Sequence, residues 1–328
     1  MKAFVYSGYG SPDVLRYEEL AEPVPGDDEV LLRVRAASVN PLDWRMMHGG
    51  PYLMRQMFGL YRRVTRQPGN KQPGVDVAGR VEAVGRNVTQ LKPGDEVFGV
   101  CRGAFAEYAR APASKLVRKP LSMTFEQAAA LPVAAVTALQ GLRDKGLIQP
   151  GQKVLINGAA GGVGTFAVQL AKSFGAEVTG VCSAGNAELV RSIGADRVID
   201  YALEDFTGST ERYDLIFDCV GNHTLSDYRR VLKPLGRYVC IGGKNIWTAL
   251  ARALYAPLLS RLVSQHFVAF IASIKTEDLQ TLSELMEAGK MSPVIDRLYR
   301  LSQVPDAMRY LGQWHARGKV IITVEENK

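Results

Sequence analysis

VLINGAAGGVGTFAVQLAKSFGAEV (residues 154–178) decides the fold of the second half of this chain. A β-rich run is followed by a turn of small residues and then by an amphipathic helix. Counted from Ala159, the turn reads A-x-G-x-x-G, a variant of the dinucleotide fingerprint. Small residues there tighten the turn, admit a pyrophosphate and allow close helix–strand packing. The helix N-terminus beyond them offers unpaired N–H groups to an anion.

The context of the turn decides between a ligand site and a merely tight packing turn. From residue 153 to 243, runs typical of strands alternate with runs typical of helices. This alternation predicts a parallel, doubly wound sheet with both faces covered. The strand before and the helix after the turn therefore favour a dinucleotide site.

The end of the second strand of this alternation indicates which dinucleotide binds. An acidic residue about 20 positions after the glycines would bind a ribose 2′-hydroxyl. The sequence has Ser183 at that place and no carboxylate before Glu188. A neutral hydroxyl leaves room for a 2′-phosphate, so NADP is favoured over NAD, although the loop itself contains no arginine or lysine.

The whole chain of 328 residues is 47% apolar and 22% charged, which is the composition of a soluble globular protein, and its length predicts two domains. Residues 1–112 contain short β-rich runs separated by turns, which predicts a barrel-like β domain, and a β-rich tail is expected to return to it. The net charge of +7 is spread along the chain without a nucleic-acid motif, so no nucleic acid is expected as a partner. The absence of a signal core, a membrane span and paired cysteines predicts a cytoplasmic protein with reduced thiols.

Several motifs in a fixed order resemble a medium-chain dehydrogenase/reductase of the zinc-independent, quinone oxidoreductase-like branch. They include SVNPLDWRMMHG (38–49), PGVDVAGRVEAVGRNVTQLKPGDEVFG (73–99), the glycine turn, GADRVIDY (194–201) and HARGKVII (315–322). The resemblance implies an α/β protein with a GroES-like β-rich catalytic domain, residues 1–123 and 265–328, and a Rossmann NADP-binding domain, residues 124–264. It also implies a cofactor in the cleft between the two and a homodimer.

Zinc is not expected. Zinc-dependent relatives carry a cysteine where this chain has Asn40, and Gly-His-Glu where it has Gly74-Val75-Asp76. An amide and a valine cannot replace thiolate and imidazole ligands. The resemblance therefore implies hydride transfer from NADPH to a quinone or to the β-carbon of an enone, without metal.

Three residues are the catalytic candidates: Asn40, Asp43 and Tyr52. Asn40 matches an asparagine that relatives place near the nicotinamide, Asp43 accompanies it, and Tyr52 roughly matches a tyrosine near the substrate. Turn and helix-cap chemistry is the alternative for Asn40 and Asp43, and packing is the alternative for Tyr52. A further family tyrosine is replaced by Trp44-Arg45, which leaves the proton donor open.

Ten residues are the cofactor candidates. The turn residues are expected at the pyrophosphate, Ser183 and Tyr201 at the adenosine ribose phosphate, Thr137 near the nicotinamide, Val220 in the loop by the nicotinamide ribose, and Lys319 near the phosphates. Asn186 stands where NADPH-preferring relatives commonly have a lysine. The full set is Thr137, Gly161, Gly162, Val163, Gly164, Ser183, Asn186, Tyr201, Val220 and Lys319.

Two other functions stay open at this point. One is a nucleotide-binding sensor or scaffold protein, in which the basic insert (residues 51–67) and a broken helix (residues 246–263) contact a partner instead of capping the cleft. The other is a zinc-type alcohol dehydrogenase.

Overall fold

The computed structural model describes residues 1–48, 72–242, 255, 259–260 and 262–325. The chain divides into two compact units. Unit 1 contains residues 1–133, 274–287 and 295–328, and unit 2 contains residues 134–273 and 288–294. Each unit therefore takes residues from more than one stretch of the chain.

Unit 1 is built around a seven-stranded sheet in the order β14-β15-β3-β4-β5-β7, with β6 paired to β3. All these pairs are antiparallel except β14–β15. Strands β1 and β2 form a separate antiparallel pair. The strands are β1 (Lys2–Val5), β2 (Arg16–Glu19), β3 (Glu29–Val39), β4 (Asp76–Val84), β5 (Glu96–Val100), β6 (Tyr108–Pro112), β7 (Leu116–Arg118), β14 (Ile295–Arg300) and β15 (Lys319–Thr323).

Helices cover this sheet and close its core. They are α1 (Pro41–His48), α2 (Phe125–Ala129), α7 (Thr276–Glu287) and α8 (Val304–Gly312). The buried side chains are mainly aliphatic and come from both parts of the chain, for example Val34, Val97 and Ile322. Strand β15 pairs with β3 in antiparallel register, Val320 opposite Val39. Strand β15 is therefore an interior strand of the sheet, between β14 and β3, as the predicted return of the tail requires.

Unit 2 is a six-stranded parallel sheet in the order β10-β9-β8-β11-β12-β13. In chain order within the unit this is 3-2-1-4-5-6, the doubly wound dinucleotide-binding arrangement. The strands are β8 (Lys153–Asn157), β9 (Glu177–Cys182), β10 (Arg197–Asp200), β11 (Tyr213–Asp218), β12 (Leu232–Cys240) and β13 (His266–Ala269), and the helices are α3 (Pro132–Gln140), α4 (Gly162–Ser173), α5 (Ala187–Ser192) and α6 (Leu225–Val231). The expected β-rich domain and the expected doubly wound parallel sheet are both confirmed.

The unit boundaries fall about ten residues later than the sequence predicts. The first lies after Val133, because α2 packs on β3 and β4 of unit 1. The second lies at Ile274, because β13 pairs with β12 and completes the parallel sheet of unit 2. Pro132 begins α3, where its missing N–H costs nothing.

Candidate functional site

The glycine turn of unit 2 presents its backbone outward. Gly158 has φ +85°, and the N–H of Gly161 donates to its carbonyl oxygen at 3.1 Å. Helix α4 then begins at Gly162, and no side chain caps its first turn. A Cβ at Gly164 would lie 2.0 Å from the Gly158 carbonyl oxygen, so only glycine fits there. The turn therefore leaves backbone N–H groups at a helix N-terminus for an anion.

The four predicted turn residues divide into two kinds. Gly161, Gly162 and Val163 are partly exposed, whereas Gly164 is buried. The first three can meet a ligand, and Gly164 allows the helix to pack against the turn. Gly158 supplies the left-handed conformation and lies outside the motif as counted from Ala159. It is not among the predicted cofactor residues, although its place directly after the strand could have indicated a turn residue of the candidate site.

The loop after β9 holds Ser183 and Asn186 together. The Asn186 Nδ2 group donates to Ser183 Oγ at 3.1 Å, and the Asn186 Oδ1 atom is buried and has no hydrogen-bond partner among the described residues. Tyr201, which follows the neighbouring strand β10, is 57% exposed. An unpartnered buried oxygen next to a serine hydroxyl fits a site for a polar ligand.

A buried carboxylate organises the loop after β11. Asp218 is fully buried, and its Oδ1 atom accepts hydrogen bonds from the N–H groups of Val220 at 3.0 Å and Gly221 at 2.8 Å and from Asn157 Nδ2 at 2.9 Å. Its Oδ2 atom accepts from the Tyr238 hydroxyl at 2.6 Å. Charge-assisted bonds of this kind fix a loop strongly.

The same network joins this loop to the glycine turn. Asn157, the last residue before the turn, also donates to Asn222 Oδ1 at 2.9 Å. A Cβ at Gly158 would lie 2.8 Å from a Val220 methyl group, so the two segments pack closely. Val220 itself is 41% exposed at this edge of the sheet. Val220 is among the predicted cofactor residues, whereas Asn157 and Asp218 are not, although they end adjacent strands and could have been found from that register.

Unit 1 contains a buried polar cluster around Asn40. The Lys319 ammonium group donates to Asn40 Oδ1 at 2.7 Å and lies 3.5 Å from Asp76 Oδ2. The same Asp76 oxygen accepts from Asn40 Nδ2 at 2.9 Å and from Ser38 Oγ at 2.7 Å. Strands β3, β4 and β15 bring these residues together, and each of the four is at most 3% exposed.

Burial makes the charges of this cluster costly. It lowers the pKa of Lys319, although the negative charges of Asp76 and Asp43 act in the opposite direction. It raises the pKa of Asp43 to about 7, with a further upward contribution from Asp76 and downward ones from the Asn40 and Gly74 N–H groups and from Lys319. Asp43 therefore titrates near neutral pH, in the range useful for acid–base chemistry.

Asp43 also shows the helix-cap chemistry that was its alternative. Its Oδ2 atom accepts the backbone N–H of Asn40 at 2.9 Å, three residues earlier, at the start of α1. The Asn40 side chain does not cap the helix, because it bonds to Asp76 and Lys319. The Asp43 side chain thus bonds at the helix start, whereas the Asn40 side chain bonds within the polar cluster. The catalytic roles of both residues stay predictions.

Comparison with known proteins identifies the family. The family described as "Alcohol dehydrogenase GroES-like domain" matches residues 26–121, and the one described as "Zinc-binding dehydrogenase" matches residues 193–322. The chain is a medium-chain dehydrogenase/reductase. It is 35% identical to the 2-methylene-furan-3-one reductase of Solanum lycopersicum over 98% of this chain and 79% of that protein.

Two further relatives of this medium-chain dehydrogenase/reductase are quinone oxidoreductases by name. The chloroplast envelope quinone oxidoreductase homolog of Arabidopsis thaliana is 34% identical over 98% of both chains. The solved structure of the quinone oxidoreductase from Coxiella burnetii matches with a TM-score of 0.87 and 28% identity, covering 99% of both chains.

The description of the second family raises the question whether zinc fits this medium-chain dehydrogenase/reductase. Asn40 and Val75 stand where the resemblance places two zinc ligands of zinc-dependent members of the family, and the Lys319 ammonium lies 2.7 Å from the Asn40 oxygen. An amide, a valine side chain and an adjacent positive charge do not suit a zinc ion, which takes thiolate, imidazole and carboxylate ligands. Among the residues that the structure describes, no other group of His, Cys, Asp and Glu could hold a metal.

The remaining predicted site residues lie in both units or outside the described residues. Thr137 lies half-buried in α3. Lys319, expected near the cofactor phosphates, has its ammonium group inside unit 1, and its contact with a cofactor stays a prediction. Tyr52, the basic insert and most of the broken helix lie outside the described residues. Within the described ranges, every helix is too short or too polar to traverse a bilayer.

Proposed function

We propose that this protein is an NADPH-dependent reductase that delivers hydride to a quinone or an α,β-unsaturated carbonyl compound without a metal ion. The observation that carries the proposal is the glycine turn of unit 2, where helix α4 packs closely on the turn through Gly164 and begins without a side-chain cap, which leaves backbone N–H groups for an anion. The names of the relatives, a furanone reductase and quinone oxidoreductases, support these two acceptor classes.

The residues of unit 2 fit NADPH. The N–H groups of residues 161–163 would bind the pyrophosphate, and Ser183 with Asn186 would meet the 2′-phosphate, since neither carries a negative charge. Bound NADPH supplies the hydride. The loop at residues 220–222, held by Asp218, would border the nicotinamide ribose.

The residues of unit 1 would serve the acceptor. Asn40 offers a fixed amide, and the Asp43 carboxyl group, whose pKa burial raises to about 7, would supply the proton that the reduced acceptor takes up, at the oxygen of a quinol or at the α-carbon of a reduced enone. The donor set around Asn40 does not fit zinc, which supports metal independence. With an enone, the hydride goes to the β-carbon and the proton to the α-carbon, giving the saturated ketone and NADP⁺.

The test combines binding, turnover and metal dependence on the full chain. NADPH oxidation is followed at its nicotinamide absorbance with a panel of 1,4-quinones and enones, before and after prolonged dialysis against a zinc chelator. We expect turnover with at least one acceptor class, unchanged by the chelator, and deuterium from 4-deuterated NADPH on the β-carbon of a reduced enone. NADPH binding without turnover across the panel, or activity that zinc alone restores, would refute the proposal.

A further inference from the structure

The buried lysine of unit 1 has an unusual set of partners. Lys319 is 3% exposed, and the two acceptors nearest its ammonium are the neutral Asn40 oxygen at 2.7 Å and the Asp76 carboxylate at 3.5 Å. The shorter contact is thus to the amide and not to the opposite charge. A buried ammonium is costly to keep, and an apolar side chain of similar length would pack in its place more cheaply.

The partners of Asn40 select one orientation of its side-chain amide. Its oxygen accepts from Lys319, and its nitrogen donates to Asp76 Oδ2 at 2.9 Å, with Ser38 O at 3.4 Å. A rotation by 180° would turn the nitrogen toward the ammonium group and the oxygen toward the carboxylate. The contact with Lys319 would then pair two donors and the contact with Asp76 two acceptors, in a site that excludes water.

We propose that Lys319 and Asp76 form a clamp that fixes the Asn40 amide in this single orientation, so that Lys319 is a positioning residue for the reaction. The proposal rests on the proposed function, in which Asn40 stands at the reaction centre. It differs from the role expected for Lys319 in the sequence, because a clamped ammonium serves Asn40 and not the cofactor phosphates.

The anchoring of Asp76 supports the clamp. Its Oδ2 atom accepts from Ser38 Oγ and Asn40, and its Oδ1 atom accepts the N–H of Val133 at 3.0 Å. Both oxygens are therefore fixed from β3 and α3. Among the described residues, the charged groups that act on the neighbouring Asp43 are Asp76 and Lys319, and the Cys101 thiol lies within range of its charge. Since Lys319 is the one positive charge among them, its removal should raise the pKa of Asp43.

The experiment compares Lys319→Met with a matched control, Lys119→Met. Lys119 is also buried in unit 1, but its ammonium group bonds to Glu96 and to the Met123 carbonyl oxygen and touches no residue of the cluster. The double variant Lys319→Met/Asp76→Asn removes one charge of each sign and covers the case in which the single variant does not fold. Melting temperature, NADPH dissociation constant, kcat, its pH profile and the Asn40 side-chain NMR signal are measured for each.

We expect Lys319→Met and the double variant to lower kcat by about a hundredfold, the order that a misplaced positioning group costs, with an NADPH affinity within about threefold of the parent. The alkaline limb of the kcat profile, which loss of the Asp43 proton sets, should move to higher pH in Lys319→Met. Lys119→Met should lower the melting temperature without this loss of kcat. A tenfold or larger loss of NADPH affinity in Lys319→Met would assign Lys319 to the phosphates and overturn the clamp.

The NMR measurement separates this proposal from the proposed function. In asparagine-labelled parent protein, the Nδ2 signal that disappears in Asn40→Ala should be shifted from that of a water-exposed amide and protected from hydrogen exchange. The protection should be lost in the double variant. An unshifted, unprotected signal in the parent would overturn the clamp, whether or not any acceptor is reduced.

Discussion

Gly164→Ala tests the glycine turn most directly. The added Cβ would lie 2.0 Å from the Gly158 carbonyl oxygen and 2.9 Å from two backbone atoms of Ala159. Ordinary contacts between carbon and oxygen begin well above 3 Å, so the first turn of α4 or the Gly158 peptide must shift by about 1 Å, since over-packed sites relax by backbone movement. We expect the shift to cost about 1–3 kcal/mol of the free energy of unfolding.

The larger effect should fall on the cofactor. If the shift removes two hydrogen bonds between backbone N–H groups and a pyrophosphate, at about 1.5–3 kcal/mol each, the affinity for NADPH falls by roughly 10²–10⁴-fold. Titration of NADPH fluorescence measures this loss, and urea denaturation measures the stability. Gly208→Ala is the control, because a Cβ at Gly208 meets nothing within 4 Å. A folded Gly164→Ala variant that binds NADPH within threefold of the parent would refute the argument.

Three further predictions concern the other site residues. Asp218→Ala should free the Val220 and Gly221 N–H groups, because both donate to the Asp218 carboxylate. Hydrogen bonds to a charged group contribute about 1.5–3 kcal/mol each, so NADPH binding should weaken by about tenfold or more. An unchanged NADPH dissociation constant would contradict this role of Asp218. Ser183→Asp should lower the ratio of NADPH to NADH affinity by at least about tenfold, because a carboxylate repels the 2′-phosphate and binds a ribose hydroxyl; competitive titrations measure the ratio, and an unchanged ratio would exclude Ser183 from this part of the site. The pKa of Asp43 is raised from 3.8 to about 7, so the folded state binds the Asp43 proton more tightly than the unfolded state does. This proton contributes up to about 4 kcal/mol to the free energy of unfolding. The contribution is fully present below pH 4 and is lost as the pH rises through 7. Urea denaturation between pH 4.5 and 8 should show a shallower loss of stability with pH in Asp43→Asn, and parallel curves for parent and variant would contradict it.

Local patterns in the sequence suffice for much of this molecule. The alternation of strands and helices predicts the parallel sheet, and the small residues at 161–164 predict where a helix begins with exposed N–H groups. The N-x-x-D spacing of Asn40 and Asp43 predicts that they lie at one helix start. In each case the partners are within a few residues of one another, so periodicity and spacing contain the necessary information.

Contacts between distant residues are what the sequence does not reveal. Lys319 and Asn40 are 279 positions apart, and their contact depends on the register of β15 on β3. A lysine near a strand end is usually solvated, so its burial could not be read from its neighbours. Asp218 and Asn157 become partners only through the parallel register of β8 and β11. The positive φ of Gly158 likewise appears only when the turn is built.

The interior position of β15 in the sheet of unit 1 has a consequence for the order in which the two units fold. Unit 2 takes most of its residues from one continuous stretch, whereas β3 of unit 1 must wait for residues 319–323 to be synthesised before its sheet can close. Closing so long a segment carries a large entropic cost, and pairings of this kind form slowly. During translation unit 2 can therefore fold before the sheet of unit 1 closes, and Lys319 reaches Asn40 only when β15 pairs with β3. Synthesis itself would then impose an order on assembly, with the glycine turn formed before the polar cluster around Asn40.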